Sequence, residues 1–471
     1  MIVMKFGGTS TQDAAAMANV AHIVKAHLAK QPIVVISAIA GATNALETIG
    51  GSAADQKIGE SQNVIDELLG RHLRIVDTLI KDRSRNSELQ GVLANARRDL
   101  EELVRGVSIL RELTPRTLDA FYAYGELLSS RLIAAVLQEE RVDTVWIDTK
   151  EFMITDDHHN RALPLMESVE TRLQALAFPL MKQDKVLVTQ GYIGVTSTGR
   201  RTTMGRESSD YSAAVIGAAL GVEDIQIWTD VDGILTADPR IVEAPMKVKQ
   251  LSFEEAYELS FFGAKVLHPN TMLPAIEKNI PIHIYNSRHP QRSGTKVTVS
   301  GPEGDPVVKS VAYKKNMVLL SVRPKKRYGQ FGFWEHLYNI LTEYGAMPGM
   351  TVTSEFSIAF AIDAKSNLPA IVHEMNAIGH VELAENKAIL CLVGSNIKSS
   401  RQLMARLLHA MGTAGVDMVS FGASRSNVSI VLDETQVLDA VRRVHEEFFG
   451  SRQDGTMFES LKTESMAMTV A

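Results

Sequence analysis

Apolar and polar positions along this chain recur in a fixed order: a short apolar run, a turn of glycines or hydroxyl residues, then a longer segment with helical apolar spacing. The runs Ile2–Phe6, Pro32–Ser37, Val142–Ile147, Lys185–Thr189, Ile225–Thr229 and Ile280–Tyr285 are near-continuous rather than alternating. That is the pattern of strands covered on both faces. Between them, an Ala-rich stretch from about Asp13 to Lys30, the segment 60–140 with pairs such as Leu68-Leu69 and Ile75-Val76, and Tyr211–Leu220 read as helices. Strands alternating with helices predict an α/β class, with a central, mostly parallel sheet between helices.

The rhythm changes after residue 286. Residues 286–310 are rich in Gly, Pro, Ser and charge, and a domain boundary is placed there. Beyond it come a strand at Met317–Val322, a helix at Phe333–Tyr344, strands at Met350–Ser354 and Phe356–Ile362, a helix at Leu368–Ala377 and a strand near Val381. The cycle restarts at Ala388–Val393, with a helix at Arg401–Met411, strands at Asp417–Ser420 and Val428–Leu432, and a helix at Thr435–Phe448. This is βαββαβ twice, a ferredoxin-like repeat of roughly seventy residues. The second copy runs out before its fourth strand, and an open edge is a liability. Val307–Tyr313, apolar and otherwise unassigned, is expected to fill that place and interleave the two copies. The expected organisation is a large α/β domain over 1–290, a linker and joining strand over 291–312, repeat modules over 313–387 and 388–449, and a flexible tail over 450–471.

Composition narrows the functional classes. The chain has 471 residues, 45% hydrophobic and 22% charged, with a net charge of −6. The charge argues against non-specific binding to nucleic acid or to an anionic membrane. No apolar stretch reaches spanning length and the N-terminus has no signal-peptide layout, so a cytoplasmic protein is expected. The single cysteine, Cys391, lies in an apolar run and reads as a small buried hydrophobe.

Several stretches carry chemistry. Lys5 interrupts a strand that otherwise reads buried, and Gly7-Gly8-Thr9-Ser10 follows it. A buried cation calls for an anionic partner, and the glycines let backbone N–H groups approach one closely. An edge-strand lysine reaching solvent is the plainer alternative. Ser37 to Asn44, small and hydroxyl-bearing, follows a buried strand, where open α/β sheets bind ligands. The loop Ser197–Asp210 holds arginines and hydroxyls and feeds a buried helix, with Ser209 or Asp210 expected to cap it; this suits an anion. Glu126 sits among apolar neighbours and needs a partner unless it lies on a helix surface. Asp230–Arg240 reads as a nucleotide edge, and Lys265 follows a glycine in Phe262–Pro269.

Taken together, KFGGTS at 5–10, VTQGYIG at 188–194, TTMGRESSD at 202–210, WTDVDGILTADPR at 228–240 and FGAKVLHP at 262–269 resemble the aspartate kinases of the amino-acid kinase superfamily. The C-terminal repeat resembles the paired ACT modules of that family. The resemblance implies transfer of the γ-phosphoryl of ATP, carried with Mg²⁺, to the side-chain carboxylate of L-aspartate, at the entry to lysine, threonine and methionine synthesis. It implies catalytic roles for Lys5, Asp210 and Lys265, with no metal held by the protein itself. Ser37, Thr43, Glu126, Arg206, Ser209 and Asp210 correspond to the aspartate-binding set, Arg206 gripping the α-carboxylate and Glu126 the α-ammonium. Lys5, Gly7, Gly8, Thr9, Thr229, Asp230, Leu235, Arg240 and Lys265 correspond to the nucleotide set. Glu207-Ser208 stands where relatives often have two glycines, and Leu235 where a tyrosine is often found. In the first ACT module, Gly332, Phe333, Ser354 and Glu355 are the candidate contacts of an amino-acid effector. A homodimer through the ACT modules is expected. Another amino-acid kinase, such as a glutamate kinase, and a catalytically inactive sensor remain the competing readings.

Overall fold

A computed structural model describes residues 1–205, 208–263, 272–301, 307–325, 330–452 and 455–461. In chain order it contains β1 (Ile2–Phe6), α1 (Ala14–Ala26), β2 (Pro32–Ile36), α2 (Ala42–Ala54), α3 (Ile58–Leu79), α4 (Arg83–Leu110), α5 (Pro115–Glu139), β3 (Thr144–Trp146), β4 (Ile154–Thr155), α6 (Met166–Met181), β5 (Val186–Gln190), β6 (Ile193–Thr196), β7 (Arg201–Thr203), α7 (Ser209–Leu220) and β8 (Asp224–Thr229). There follow β9 (Met246–Val248), β10 (Gln250–Ser252), α8 (Phe253–Phe261), α9 (Leu273–Glu277), β11 (Ile282–Asn286), β12 (Thr295–Thr298), β13 (Val307–Pro324), α10 (Gln330–Glu343), β14 (Met350–Thr353), β15 (Ile358–Asp363), α11 (Leu368–Ile378), β16 (Gly379–Ser395), α12 (Arg401–Met411), β17 (Met418–Phe421), β18 (Asn427–Asp433), α13 (Val437–Phe449) and β19 (Phe458–Ser460). Contacts divide the chain into one unit of Met1–Gly233 with Val266–Val299, and another of Ile234–Lys265 with Ser300–Ala471.

In the first unit, strands run side by side in the order β12-β11-β8-β1-β2-β5-β3. All these neighbours are parallel except β12, which is antiparallel to β11. β12 lies in the Gly- and Ser-rich stretch that sequence reading treats as linker; four residues, Thr295–Thr298, are too few to show periodicity there. β1 is central, so Lys5 cannot be an edge lysine; it stands in register with Val35 on one side and Ile227 on the other. Met4, Phe6, Val34 and Ile36 join α1 and α5 residues such as Val20, Val24, Phe121 and Leu132 in one apolar core. α5 opens with Thr114 accepting from the Thr117 N–H and Pro115 at the first helical position. It lies close on the loop after β2: a Cβ on Gly125 would stand 2.8 Å from the Ala38 Cβ.

The second unit is built on a six-stranded antiparallel sheet, β14-β15-β13-β16-β18-β17. Its two longest strands serve both repeats. The first part of β13, Val307–Lys314, pairs with Ile389–Ser395 of β16, while Met317–Pro324 pairs with Gly379–Lys387 and with β15. The strand that closes the second repeat thus precedes the first repeat in sequence. Cys391 is fully buried in this sheet, and burial pushes its thiol pKa up. α8 starts with a capping box, Ser252 and Glu255 satisfying each other's backbone N–H groups. The same Glu255 pairs with Lys309 of β13 at 2.6 Å, both side chains essentially inaccessible to water.

The expected flexible tail is in part ordered. Phe458–Ser460 forms β19 against β9. Phe458 is 3% exposed and packs edge-on against Phe449, and Glu459 reaches the buried Lys247 at 3.1 Å. An aromatic anchor and a compensated buried cation help to hold a strand that composition alone does not reveal. Among the described residues no helix is long and apolar enough to cross a membrane.

Candidate active site

The carboxyl ends of β1 and β2 deliver the first functional groups. Lys5 is 8% exposed, and its Nζ lies 2.6 Å from Asp210 Oδ1 in the first turn of α7. The buried strand cation therefore has its anion. Gly7 donates its N–H to the Trp228 carbonyl at 3.1 Å, and a Cβ placed on it would sit 3.7 Å from Lys5 Nζ. Gly8 accepts from the Ala40 N–H at 3.1 Å, with Thr9 in the same short helical turn. At the end of β2, Ser37 Oγ donates to Ser209 Oγ at 2.9 Å. Gly191 permits this approach: a side chain there would place Cβ 2.7 Å from the Ser209 Cβ.

Ser209 and Asp210 do not cap α7 as the sequence suggests. Ser208 occupies the cap position and makes no side-chain cap hydrogen bond, its hydroxyl donating instead to the Gly205 carbonyl at 2.6 Å. Ser209 and Asp210 are already engaged by Ser37 and Lys5, so the competing partners across the sheet take precedence over the helix end.

Glu126 is the most informative group. It is 4% exposed on α5; its Oε1 accepts from the Ala38 N–H at 3.0 Å, and its Oε2 is buried with no hydrogen-bond partner among the described residues. Burial pushes its pKa up to about 8, the Ala38 N–H and the Lys5 charge opposing that rise. A buried carboxylate with one idle oxygen is costly alone and well matched to an ammonium. Thr43 lies half-buried in the first turn of α2, directly after the loop that Glu126 holds.

Thr229 and Asp230 stand where β8 ends beside β1, the Thr229 hydroxyl 3.3 Å from Asp230 Oδ1 and its carbonyl accepting from Ser287. Leu235 and Arg240 belong to the second unit. Leu235 is half-buried with its carbonyl accepting from Ser310 Oγ, and Arg240 forks onto Asp238 at 2.6–3.2 Å. Asp232, in the same acidic turn, is taken by Asn286 and Arg292, a structural role that reading the turn as a nucleotide edge did not anticipate. Arg206 and Lys265 lie outside the described residues.

In the candidate effector region, Gly332 is exposed on α10 and Phe333 is a core side chain, 4% exposed among Leu337, Ile358 and Phe360. Ser354 Oγ accepts from the Phe356 and Ser357 N–H groups, shaping the β14–β15 turn on which Glu355 is exposed.

Sequence reading also missed the other polar groups on the inner face of α5. Asp119, Ser129 and Ser130 are fully buried and hydrogen-bonded, Ser129 to the Ser37 carbonyl at 2.8 Å. Their spacing from Glu126, one or two helical turns each way, was the available signal.

Residues 1–286 match the amino acid kinase family and residues 390–448 match the ACT domain. The chain is 35% identical to the chloroplastic aspartokinase 1 of Arabidopsis thaliana, over 95% of this chain and 80% of that one. It is 31% identical to the lysine-sensitive aspartokinase 3 of Escherichia coli, over 95% of this chain and 99% of that one. The crystal structure of E. coli aspartokinase III in complex with aspartate and ADP superposes with a TM-score of 0.83 at 30% identity, covering 95% of this chain and all of that one. The same enzyme in complex with lysine and aspartate gives 0.78 at 30% identity, covering 95% of this chain and 99% of that one. A mostly parallel sheet that ends in glycine turns and a buried Lys–Asp pair, followed by an interleaved βαββαβ repeat, and these likenesses along nearly the whole length agree: the chain belongs to the aspartokinase family.

Proposed function

We propose that this chain transfers the γ-phosphoryl group of ATP to the side-chain carboxylate of L-aspartate, giving 4-phospho-L-aspartate and ADP. The observation that carries the reading is Glu126: a buried carboxyl group, one of whose oxygens has no hydrogen-bond partner among the described residues, held by the loop after β2 within reach of the Lys5 charge. On giving up its proton it offers one charge for an amino acid's ammonium, close to the Lys5 charge for a phosphate.

The nucleophile is already an anion, so no general base is needed. A carboxylate oxygen of aspartate forms the new P–O bond as the bond from the γ-phosphorus to the bridging oxygen of ADP breaks. The obstacle is repulsion between two anions, and catalysis is mainly positioning and charge neutralisation. Glu126 Oε2 takes the α-ammonium, Arg206 the α-carboxylate, and Ser37, Thr43 and Ser209 orient the substrate. Lys5 stabilises the transferring phosphoryl while Asp210 holds the lysine in place; the N–H groups of Gly8 and Thr9 line the phosphate path, and Gly7, whose own N–H is held by Trp228, leaves room beside Lys5. Thr229, Asp230, Leu235, Arg240 and Lys265 complete the nucleotide set. Mg²⁺ chelated by the phosphates of ATP supplies further charge screening. Among the described residues no group of three or more His, Cys, Asp or Glu side chains gathers as a metal cage.

An amino-acid effector at the β14–β15 turn and α10, and a homodimer formed through the second unit's sheet, complete the proposal. The edge strand β14 and its turn expose Val352 and Phe356, at 37% and 73%. A coupled ADP-release assay with L-aspartate, L-glutamate and D-aspartate, together with hydroxamate trapping of the acyl phosphate, tests the activity. Turnover with L-aspartate alone is expected; preference for L-glutamate, or no turnover, overturns it. Titration with lysine, threonine and methionine tests the effector.

A further inference from the structure

Helix α5 presents more than Glu126 to the substrate loop. Two turns earlier on the same face stands Asp119, a carboxylate with no exposed surface at all. It accepts hydrogen bonds from three separate places. Thr203 Oγ1 donates to Oδ1 at 2.5 Å, His159 Nδ1 lies 2.6 Å from Oδ2, and the Asn160 N–H lies 3.2 Å from both oxygens. Asn160 adopts the left-handed conformation, φ 66°, that presents this N–H. Removing a carboxylate from water costs several kcal/mol unless donors replace the lost hydration. A chain that meets that cost with three convergent partners fixes all three of them relative to α5.

What is fixed is the entry to the loop between β7 and α7. Thr203 ends β7, and Gly205, with φ 95°, packs beside the Asn160 carbonyl. The Met204 N–H donates to the Tyr192 carbonyl at 3.0 Å, and the Tyr192 ring meets Tyr122 of α5 edge-on. The exit of the loop is fixed separately by the Ser37–Ser209 and Lys5–Asp210 contacts. One helix therefore carries both Glu126 and the clamp on the end of β7.

We propose that Asp119 is a positioning residue for amino-acid binding, acting through Thr203 to hold the end of β7, Thr203–Gly205, against the face of α5 that carries Glu126. The proposal rests on the aspartate kinase reading above. A misplacement of about 1 Å in such a site costs on the order of tenfold to a hundredfold in function.

The test is steady-state kinetics on Thr203→Val and Asp119→Asn, with Thr203→Ser as the conservative rescue and Glu126→Gln as a control for the site itself. Thr203→Val removes a single hydroxyl and keeps the shape, so it remains informative if Asp119→Asn fails to fold. The expected result is an aspartate KM raised about tenfold in Thr203→Val and Asp119→Asn, an ATP KM and a kcat at saturating aspartate within about threefold of wild type, and recovery in Thr203→Ser. A general loss of structure would lower kcat and disturb both KM values together. If Glu126→Gln raises the aspartate KM while folded Thr203→Val leaves it unchanged, the positioning role is overturned. If Glu126→Gln also leaves the aspartate KM unchanged, the site reading fails, and the role of Asp119 fails with it.

Discussion

Replacing Glu126 by glutamine should change how stability and aspartate affinity depend on pH. In the folded chain burial raises the Glu126 pKa from 4.5 to about 8. A group whose folded pKa is raised is most stabilising below its unfolded pKa, and that contribution is lost as pH climbs toward the folded value. The window is therefore about pH 4.5 to 8, and a shift of that size corresponds to about 5 kcal/mol between its ends. Within that window the folded enzyme holds Glu126 protonated without substrate. An α-ammonium must displace that proton, so apparent aspartate affinity should rise about tenfold per pH unit up to about pH 8 and then level off. Denaturant unfolding of the wild type and of Glu126→Gln at intervals from pH 5 to 8.5 isolates the group, because all other titrations are shared. The wild type should lose stability relative to the variant as pH rises, and saturating aspartate should restore much of it. Proton release on aspartate binding, measured by calorimetry in two buffers at pH 7, should approach one in the wild type and vanish in the variant. Parallel stability curves, or no proton release, would refute the assignment of the buried carboxylate as the ammonium partner.

Three further outcomes are expected. Lys5→Met should lower kcat about 10²- to 10³-fold, the effect of losing a preorganised donor at the developing charge, with the circular dichroism spectrum retained. Gly191→Ala should displace Ser209, since the new Cβ falls 2.7 Å from its Cβ; a loss of about 1–3 kcal/mol by denaturant titration and a raised aspartate KM should appear together. Lys309→Met should destabilise the second unit by about 3–5 kcal/mol by leaving Glu255 buried without its cation, and Lys309→Met with Glu255→Gln should recover part of that loss.

Part of the geometry of the candidate site is legible in the sequence. Lys5 stood out because a cation in a buried apolar run demands a partner, and that partner, Asp210, lay in a loop already suspected of anion binding. Glu126 was visible only as an anomaly, and nothing local says that its neighbour is the Ala38 N–H, which follows from how α5 crosses the loop after β2. The capping of α7 is not legible locally, because Ser and Asp before a helix usually serve its end, whereas here tertiary partners claim Ser209 and Asp210. Asp119 drew no notice among ordinary helix-surface acids, since its burial depends on Thr203, His159 and Asn160, all distant in sequence. β12 and β19 escaped because strands of three or four residues carry too little pattern, and their burial is decided by neighbours.

The ladder shared by β13 and β16 has a consequence for dissection. The second repeat borrows its closing strand from the chain ahead of the first, so a protein cut after residue 387 would keep Val307–Lys314 but lose the Ile389–Ser395 segment that covers it. Such a fragment should self-associate through that bare apolar flank, and in the full chain the two halves should melt together in a single calorimetric transition. The second repeat therefore cannot be excised as a contiguous piece, because its folding is conditional on a strand encoded far upstream of its start.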